Sequence, residues 1–207
     1  QLAGAAERRR VAARTFAFYA YWDGLPVKGG EIYSETGSAA SAWPTNDGLT
    51  MTYVAGPIAN FEAIRRDPTA HLIAALEKAG SLGERARGAV QVGRTRGTSD
   101  LPNLLRAGHG PGWALAGDAG LVIDPITGLG IGHALRDAEL LAAAVLNGLG
   151  GTGDLASALA RYEKQRNRET KPAFNWTLDV AALRGVNEVE EELFSTIGAD
   201  EAETSQF

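Results

Sequence analysis

The 207-residue chain has no cysteine, a single methionine and three histidines. Without thiols it can form no disulfide, cysteine nucleophile, iron–sulfur cluster or thiolate zinc site. His71, His109 and His133 stand far apart in sequence, so no metal site is assigned. No apolar run reaches the roughly 18 residues that cross a bilayer, and no apolar signal core follows Glu7-Arg8-Arg9-Arg10. A cytoplasmic protein without a membrane span is expected. A Gly-x-Ser-x-Gly turn is also missing, and with it any case for a Ser-His-Asp nucleophile. Positive charge is in deficit: 20 Lys and Arg face 25 Asp and Glu, for a net charge of -5. Because phosphate neutralisation needs clustered bases, nucleic acid is not an expected partner.

What is present is ordinary globular composition, 44% hydrophobic and 22% charged, with length for one domain or two small ones. The acids are unevenly placed. Residues 187–207 carry seven acids and no base, and without those seven acids the net charge of -5 becomes +2. That end reads as a solvated last helix that frays, rather than as a docking tail.

The aromatic run Thr15 to Trp22 reads as a strand, followed by strands at 31–35, 39–43 and 49–55. Pro44-Thr45-Asn46-Asp47-Gly48 supplies hairpin chemistry between the last two. These spacings are too short for helical crossovers and predict an antiparallel sheet. Helical periodicity begins at Asp67 and lasts to Lys78, with Leu72, Ile73, Ala75 and Leu76 on one side. Residues 90–98 can pair as a further strand. Trp113 to Ala116 is a short strand leading into Gly117-Asp118-Ala119-Gly120. After it, Ile131, Ala134, Leu135, Ala138, Leu141, Ala142, Val145, Leu146 and Leu149 recur at helical steps and predict one buried stripe. Asp154 is placed to cap a helix to about Lys171, and Pro172 to begin another carrying Phe174, Trp176, Leu178 and Leu183. Strands followed by helices indicate an α+β fold.

The stretch from Trp113 to Ala142 carries the chemistry. A carboxylate at a strand end, Asp118, suits polyol hydroxyls, while Gly128, Gly130 and Gly132 clear side chains from a helix entrance. A flat ligand can then reach backbone N–H groups at the positive end of the helix dipole. Gly117-Asp118-Ala119, Asp124-Pro125, Gly128-Leu129-Gly130-Ile131 and Arg136-Asp137-Ala138-Glu139-Leu140-Leu141 together resemble the second flavin-binding motif of FAD-dependent oxidoreductases of the aromatic-hydroxylase type, with geranylgeranyl reductases and halogenases as cousins. Tyr19-Ala-Tyr-Trp-Asp-Gly24, the Trp43 to Gly48 turn and Asp100-Leu-Pro-Asn103 ahead of Gly110-Pro-Gly-Trp113 resemble the substrate sheet and return strand of the same proteins. Residues 15 to 185 fit the likeness.

The resemblance implies an antiparallel substrate-domain sheet with helices (residues 1–105), the strand–loop–helix part of a Rossmann-like FAD-binding domain (106–150) and C-terminal helices with an acidic tail (151–207). It implies that Gly117 and Asp118 meet the ribityl or phosphate region of FAD, that Pro125 lies against the isoalloxazine, and that Gly128, Leu129, Gly130 and Ile131 offer amides to its pyrimidine edge. The helix dipole there favours an anionic reduced flavin. No catalytic residue is assigned. Many hydroxylases carry a His shortly after the Gly-Asp pair, where this chain has Leu121 and Val122, so that proton-handling role does not transfer. The strand, glycine turn and helix that bind the ADP half of FAD are also missing; Gly148 to Gly153 fits Gly-x-Gly-x-x-Gly but follows a helix instead of a strand. A C-terminal portion of an enzyme is expected, holding FAD weakly. Its exposed apolar surface around Trp113 to Ile123 and along the 131–149 stripe would favour self-association.

The function expected is an NAD(P)H-dependent monooxygenase hydroxylating a small aromatic or polyketide-like substrate. Alternatives are a prenyl-type double-bond reductase, a halogenase, ranked lower because Trp-x-Trp-x-Ile-Pro is absent, or a remnant that has lost FAD. Tyr19, Tyr21 and Trp43 are the candidate substrate contacts, although Trp43 also reads as core. Arg94 and Arg96 read as a solvated strand face. His133 and Asp137, four apart, read as an exposed helix-surface pair.

Overall fold

The computed structural model describes residues 3–150 and 154–199; the notional Gly148–Gly153 fingerprint and the acids from Asp200 onward fall partly or wholly outside them. In chain order the strands are β1 (Glu7–Val11), β2 (Thr15–Asp23), β3 (Glu31–Glu35), β4 (Ser38–Pro44), β5 (Thr50–Pro57), β6 (Val90–Thr98), β7 (Asn103–Arg106), β8 (His109–Gly110), β9 (Trp113–Ala114) and β10 (Leu121–Val122). The helices are α1 (Phe61–Ile64), α2 (Pro68–Lys78), α3 (Ser81–Ala86), α4 (Gly130–Leu149), α5 (Leu155–Val180) and α6 (Glu188–Ala199). Helices and antiparallel strands are mixed as the α+β expectation requires. The backbone divides into two compact units that interleave along the chain, one of residues up to 18, 57–66 and 97–182, the other of 19–56, 67–96 and 183 onward. This division crosses the three sequence segments rather than following them.

In the second unit the sheet order is β3-β4-β5-β2-β6, with β2 entering it from the first unit. β4 pairs antiparallel with both β3 and β5, and Trp43 stands opposite Met51. The β4–β5 turn closes where the Thr45 N–H donates to the Leu49 carbonyl at 2.8 Å. Asp47 and Gly48 both take positive φ there, which is why that segment needs an Asp-Gly pair. On the covered side Trp22 is buried and its indole N–H donates to the Thr52 hydroxyl at 2.7 Å. Asp67 caps α2 by accepting from the Ala70 N–H, and Pro68 sits where a missing N–H costs nothing. Leu72, Ala75 and Leu76 are buried by α2, each leucine contributing about 2 kcal/mol, while Ile73 turns outward. Arg85 of α3 grips Glu31 and the Pro26 carbonyl.

The first unit holds a three-stranded sheet, β1-β7-β10, with β7 antiparallel to both neighbours. The basic run Arg8 to Arg10 is therefore an edge strand, which its charge disguised. Leu121, Ile123, Phe174 and Leu178 form one core cluster, and Ala144, Ala158, Leu159 and Tyr162 another between α4 and α5. Three expectations change here. The 131–149 stripe is only partly covered: Leu141 and Val145 pack, half-buried, on the α4–α5 cluster, but Ile131 (78%), Leu135 (68%), Leu146 (73%) and Leu149 (69%) are exposed, and the fully buried residues of α4 are Asp137, Ala144 and Gly148. Leu121 and Ile123, expected at an exposed edge, are core. Pro172 starts no new helix, because α5 runs unbroken through it. The roughly 3 kcal/mol penalty of an internal proline is offset by burial of Thr170, Phe174, Thr177 and Leu178 around it. Asp154 caps α5 as expected, accepting from the N–H groups of Ala156 and Ser157.

Candidate functional site

β9 is only two residues long, shorter than the predicted 113–116 strand, and the chain then turns tightly through Gly117–Ala119. Gly117 has φ +55, and a Cβ on it would lie 3.1 Å from the Ala134 Cβ of α4, so both backbone freedom and close helix approach call for glycine. The Gly120 N–H closes the turn on the Gly117 carbonyl at 2.9 Å. At its tip the Asp118 carboxylate is exposed and makes no hydrogen bond among the described residues.

Asp124 contrasts with Asp118. It is fully buried, accepts from the Thr15 hydroxyl and from the Ile126 N–H (3.0 Å), and donates its own N–H to the Asn103 Oδ1 at 2.9 Å. Burial pushes its carboxyl above the usual aspartate range, against the two hydrogen bonds. This side chain pins the loop instead of meeting a ligand. The Asp-Pro dipeptide was the sequence signal for such a turn. Pro125 opens the next turn, and Gly128, at φ +67, delivers the chain to α4. Thr127 and Thr177 pair their hydroxyls at 3.0 Å, tying that loop to α5.

The start of α4 is uncapped. Leu129 occupies the N-cap and has no side-chain acceptor, and the first N–H to reach back is that of His133, to the Leu129 carbonyl at 3.0 Å. The amides of the first turn, from Gly130 to Gly132, have no acceptor within the helix. A Cβ at Gly128, Gly130 or Gly132 would meet nothing within 4 Å. The helix entrance is therefore open space faced by backbone donors at the positive end of a 20-residue dipole. Gly117, Asp118, Pro125, Gly128, Leu129, Gly130 and Ile131 all lie in this one unit, around that entrance and the neighbouring turn.

Behind the entrance lies a polar layer that the sequence did not reveal. Asp137 is fully buried, not exposed, and its partner is Arg136 (Nη2 to Oδ1, 2.6 Å) instead of His133. Arg136 also donates to the Thr170 hydroxyl at 2.8 Å. The His133 Nε2 and the second Asp137 oxygen are buried without hydrogen-bond partners. Burial, reinforced by Arg136 and opposed by Asp137, lowers the pKa of His133.

The substrate candidates lie in the second unit. Tyr19 and Tyr21 share one face of β2, edge to face with ring centroids 6.2 Å apart, and Tyr21 is 39% exposed. Phe16, Phe18, Ala20 and Trp22, which point the other way, are buried. Trp43 is also 39% exposed and so is not core. Its indole N–H donates to the Ser41 hydroxyl at 3.0 Å, and its ring lies where a Cβ on Gly30 would be. Arg94 and Arg96 are exposed, as a solvated strand face would be. Among the described residues no group of His, Asp or Glu could hold a metal ion, and no helix is long and apolar enough to cross a membrane.

No family model matches the chain. It is 34% identical over 110 residues to tryptophan 2-halogenase of Chondromyces crocatus, a match covering 53% of this chain and 20% of that protein. Among solved structures it is similar to the myxobacterial chondrochloren halogenase CndH, an FAD-dependent halogenase (TM-score 0.73, 22% identity, 90% of this chain and 48% of that one). PqsL of Pseudomonas aeruginosa, a probable FAD-dependent monooxygenase, matches equally well (TM-score 0.73, 22% identity, 85% and 50%). The chain thus spans about half the length of these solved relatives and a fifth of the curated one. It shares the fold of these FAD-dependent enzymes. Halogenases and monooxygenases stand level among these matches, which corrects the lower rank that the missing Trp-x-Trp-x-Ile-Pro gave the halogenase.

Proposed function

We propose that this chain, built on that fold, contributes the flavin-facing turn and helix entrance, and an aromatic substrate-facing sheet, to an FAD-dependent, NAD(P)H-dependent monooxygenase of small aromatic or polyketide-like molecules. The observation that carries this reading is the open, glycine-lined and uncapped start of α4 next to the unpartnered carboxylate of Asp118. Those features fit a flavin: acceptor oxygens for ribityl hydroxyls, a Pro125 ring for a flat face, and free amides for an electron-rich edge. Bound there, FAD would supply two-electron chemistry and activation of oxygen. The protein's part is positioning. Asp118 accepts from the polyol, the amides from Leu129 to Ile131 donate to the ring while that of Gly128 is spent on the Pro125 carbonyl (2.9 Å), and the α4 dipole favours negative charge on the ring. Tyr19, Tyr21 and Trp43 offer half-exposed aromatic surface for substrate.

A second reading, flavin-dependent halogenation, is favoured by the 34% identity to a tryptophan halogenase. The two differ in whether halide is consumed. The deciding experiment is a visible spectrum of the purified chain before and after adding FAD, followed by turnover with aromatic candidates with and without chloride or bromide. Weak but saturable FAD uptake that Asp118→Ala weakens further is expected, and hydroxylated product independent of halide. Halide-dependent product selects the halogenase, and no uptake at any FAD concentration rules out a flavin site in this chain. The exposed face of α4 should also promote self-association, which light scattering reads directly.

A further inference from the structure

We propose that Arg166 is a positioning residue for the Gly117–Gly120 turn: from α5 it holds, through the carbonyl of Arg106, the backbone that presents Asp118. This deepens the flavin reading, and the ligand-binding half of its test rests on that reading.

Arg166 is the largest fully buried side chain among the described residues, and it ends in a cationic guanidinium. No carboxylate pairs with it among those residues. Its acceptors are neutral. Nε and Nη2 both donate to the Asn167 Oδ1 (3.1 and 2.9 Å), and Nη2 also donates to the Arg106 carbonyl at 2.6 Å. Nη1 is buried with no acceptor, in a slot walled by two glycines. A Cβ on Gly120 would stand 2.7 Å from it, and one on Gly108 3.1 Å. A cation that faces neutral acceptors and the Tyr162 ring (guanidinium carbon 5.8 Å from its centroid) is still costly to bury, and simple helix packing is served better by leucine or methionine. The charge must be explained by what it reaches.

It reaches the crossbar of the turn. The Arg106 N–H donates to the Gly120 carbonyl at 2.8 Å, and the Arg106 Nη1 donates to the Ala119 carbonyl at 3.0 Å. Arg166 then takes the Arg106 carbonyl, locking that residue from behind. One helical turn earlier on the same face of α5, the Tyr162 hydroxyl donates to the Leu115 carbonyl at 2.6 Å, on the other side of Gly117. Thus α5 grips the chain on both sides of Asp118. The Asp118 side chain makes no hydrogen bond or ion pair among the described residues, so its carboxylate is only as well placed as the turn, and Gly117 and Gly120 give that turn little stiffness of their own. A ligand-facing group of this kind depends on such a supporting shell.

The test is amide hydrogen exchange on the chain with Arg166→Gln and, separately, with Asn167→Ala, which keeps the charge but frees the fork. Loss of a charge-assisted hydrogen bond should raise exchange across 115–121 about tenfold in Arg166→Gln, with a smaller rise in Asn167→Ala and no change in α2 or β4. FAD affinity, read from flavin fluorescence, should fall by about the same factor in Arg166→Gln. Adding Arg166→Gln to Asp118→Ala should then cost little beyond Asp118→Ala alone, since Arg166 acts through the turn that carries Asp118. Unchanged exchange at 115–121 in both variants overturns the proposal. So does an equal rise everywhere in Asn167→Ala, or strictly additive losses from Arg166→Gln and Asp118→Ala. If the parent chain takes up no FAD, the flavin reading fails while the exchange result still decides the role of Arg166.

Discussion

The two long helices of the first unit divide their faces in opposite ways. α5 buries Leu159, Tyr162, Phe174 and Leu178 and shows charge to solvent, as an amphipathic helix should. α4 buries Asp137, Ala144 and Gly148 and leaves Ile131, Leu135, Leu146 and Leu149 outside. Where α4 meets α5, Leu140, Leu141 and Val145 pack half-buried around Ala144, and the closest approach is set by size. A Cβ on Gly148 would lie 2.7 Å from the Leu155 Cα, so the helices approach at a distance that only the smallest residues allow. Periodicity locates a stripe on a helix, but small residues tell which side another backbone crosses.

The sharpest way to break this contrast is Gly148→Leu, which drives a side chain into the α5 backbone. Overpacking there should cost about 3 kcal/mol, read as a drop in denaturant midpoint. A smaller loss, about 1–3 kcal/mol, is expected for Asp137→Ala, since Arg136 keeps Thr170 and some solvent after losing its carboxylate. If Asp137→Ala were neutral, the polar layer would not hold the helix pair. Next come two pH effects of opposite sign. Asp124 has a raised folded pKa, so its contribution is full below the unfolded value of 3.8 and is lost as pH rises through the folded one; Asp124→Asn should flatten that fall. His133 has a lowered folded pKa, so stability climbs as pH rises toward 6.5, and His133→Gln should flatten that climb. Stability curves against pH for the two variants check both signs. Least affected should be Leu135→Gln with Leu146→Gln, within about 0.5 kcal/mol of the parent, but with reduced self-association by light scattering.

Much of the second unit could be read from sequence because its signals are local. Alternation along Thr15 to Trp22, the Asp47-Gly48 turn and the Asp67-Pro68 start each act over a few residues, and β2, the β4–β5 hairpin and α2 follow them. The Gly117 to Ile131 stretch was legible for the same reason: positive φ at Gly117 and Gly128 and the bare entrance of α4 are properties of glycine itself. Arg166 and Tyr162 gave no such signal. In sequence they are two residues of a charged helix, and their meaning comes from carbonyls 60 and 47 positions away.

By itself, then, the sequence determined the thiol-free chemistry, the hairpin, the caps at Asp67 and Asp154, and the glycine-lined turn and helix entrance, because backbone sterics and local hydrogen bonding decide these within a few residues. Tertiary structure alone decided that Arg8 to Arg10 form an edge strand, that Pro172 lies inside a helix, that Ile131, Leu135, Leu146 and Leu149 of the α4 stripe face outward, and that a buried guanidinium stands behind the turn. These depend on which distant surfaces meet, and burial belongs to the pair of surfaces in contact, not to either segment alone.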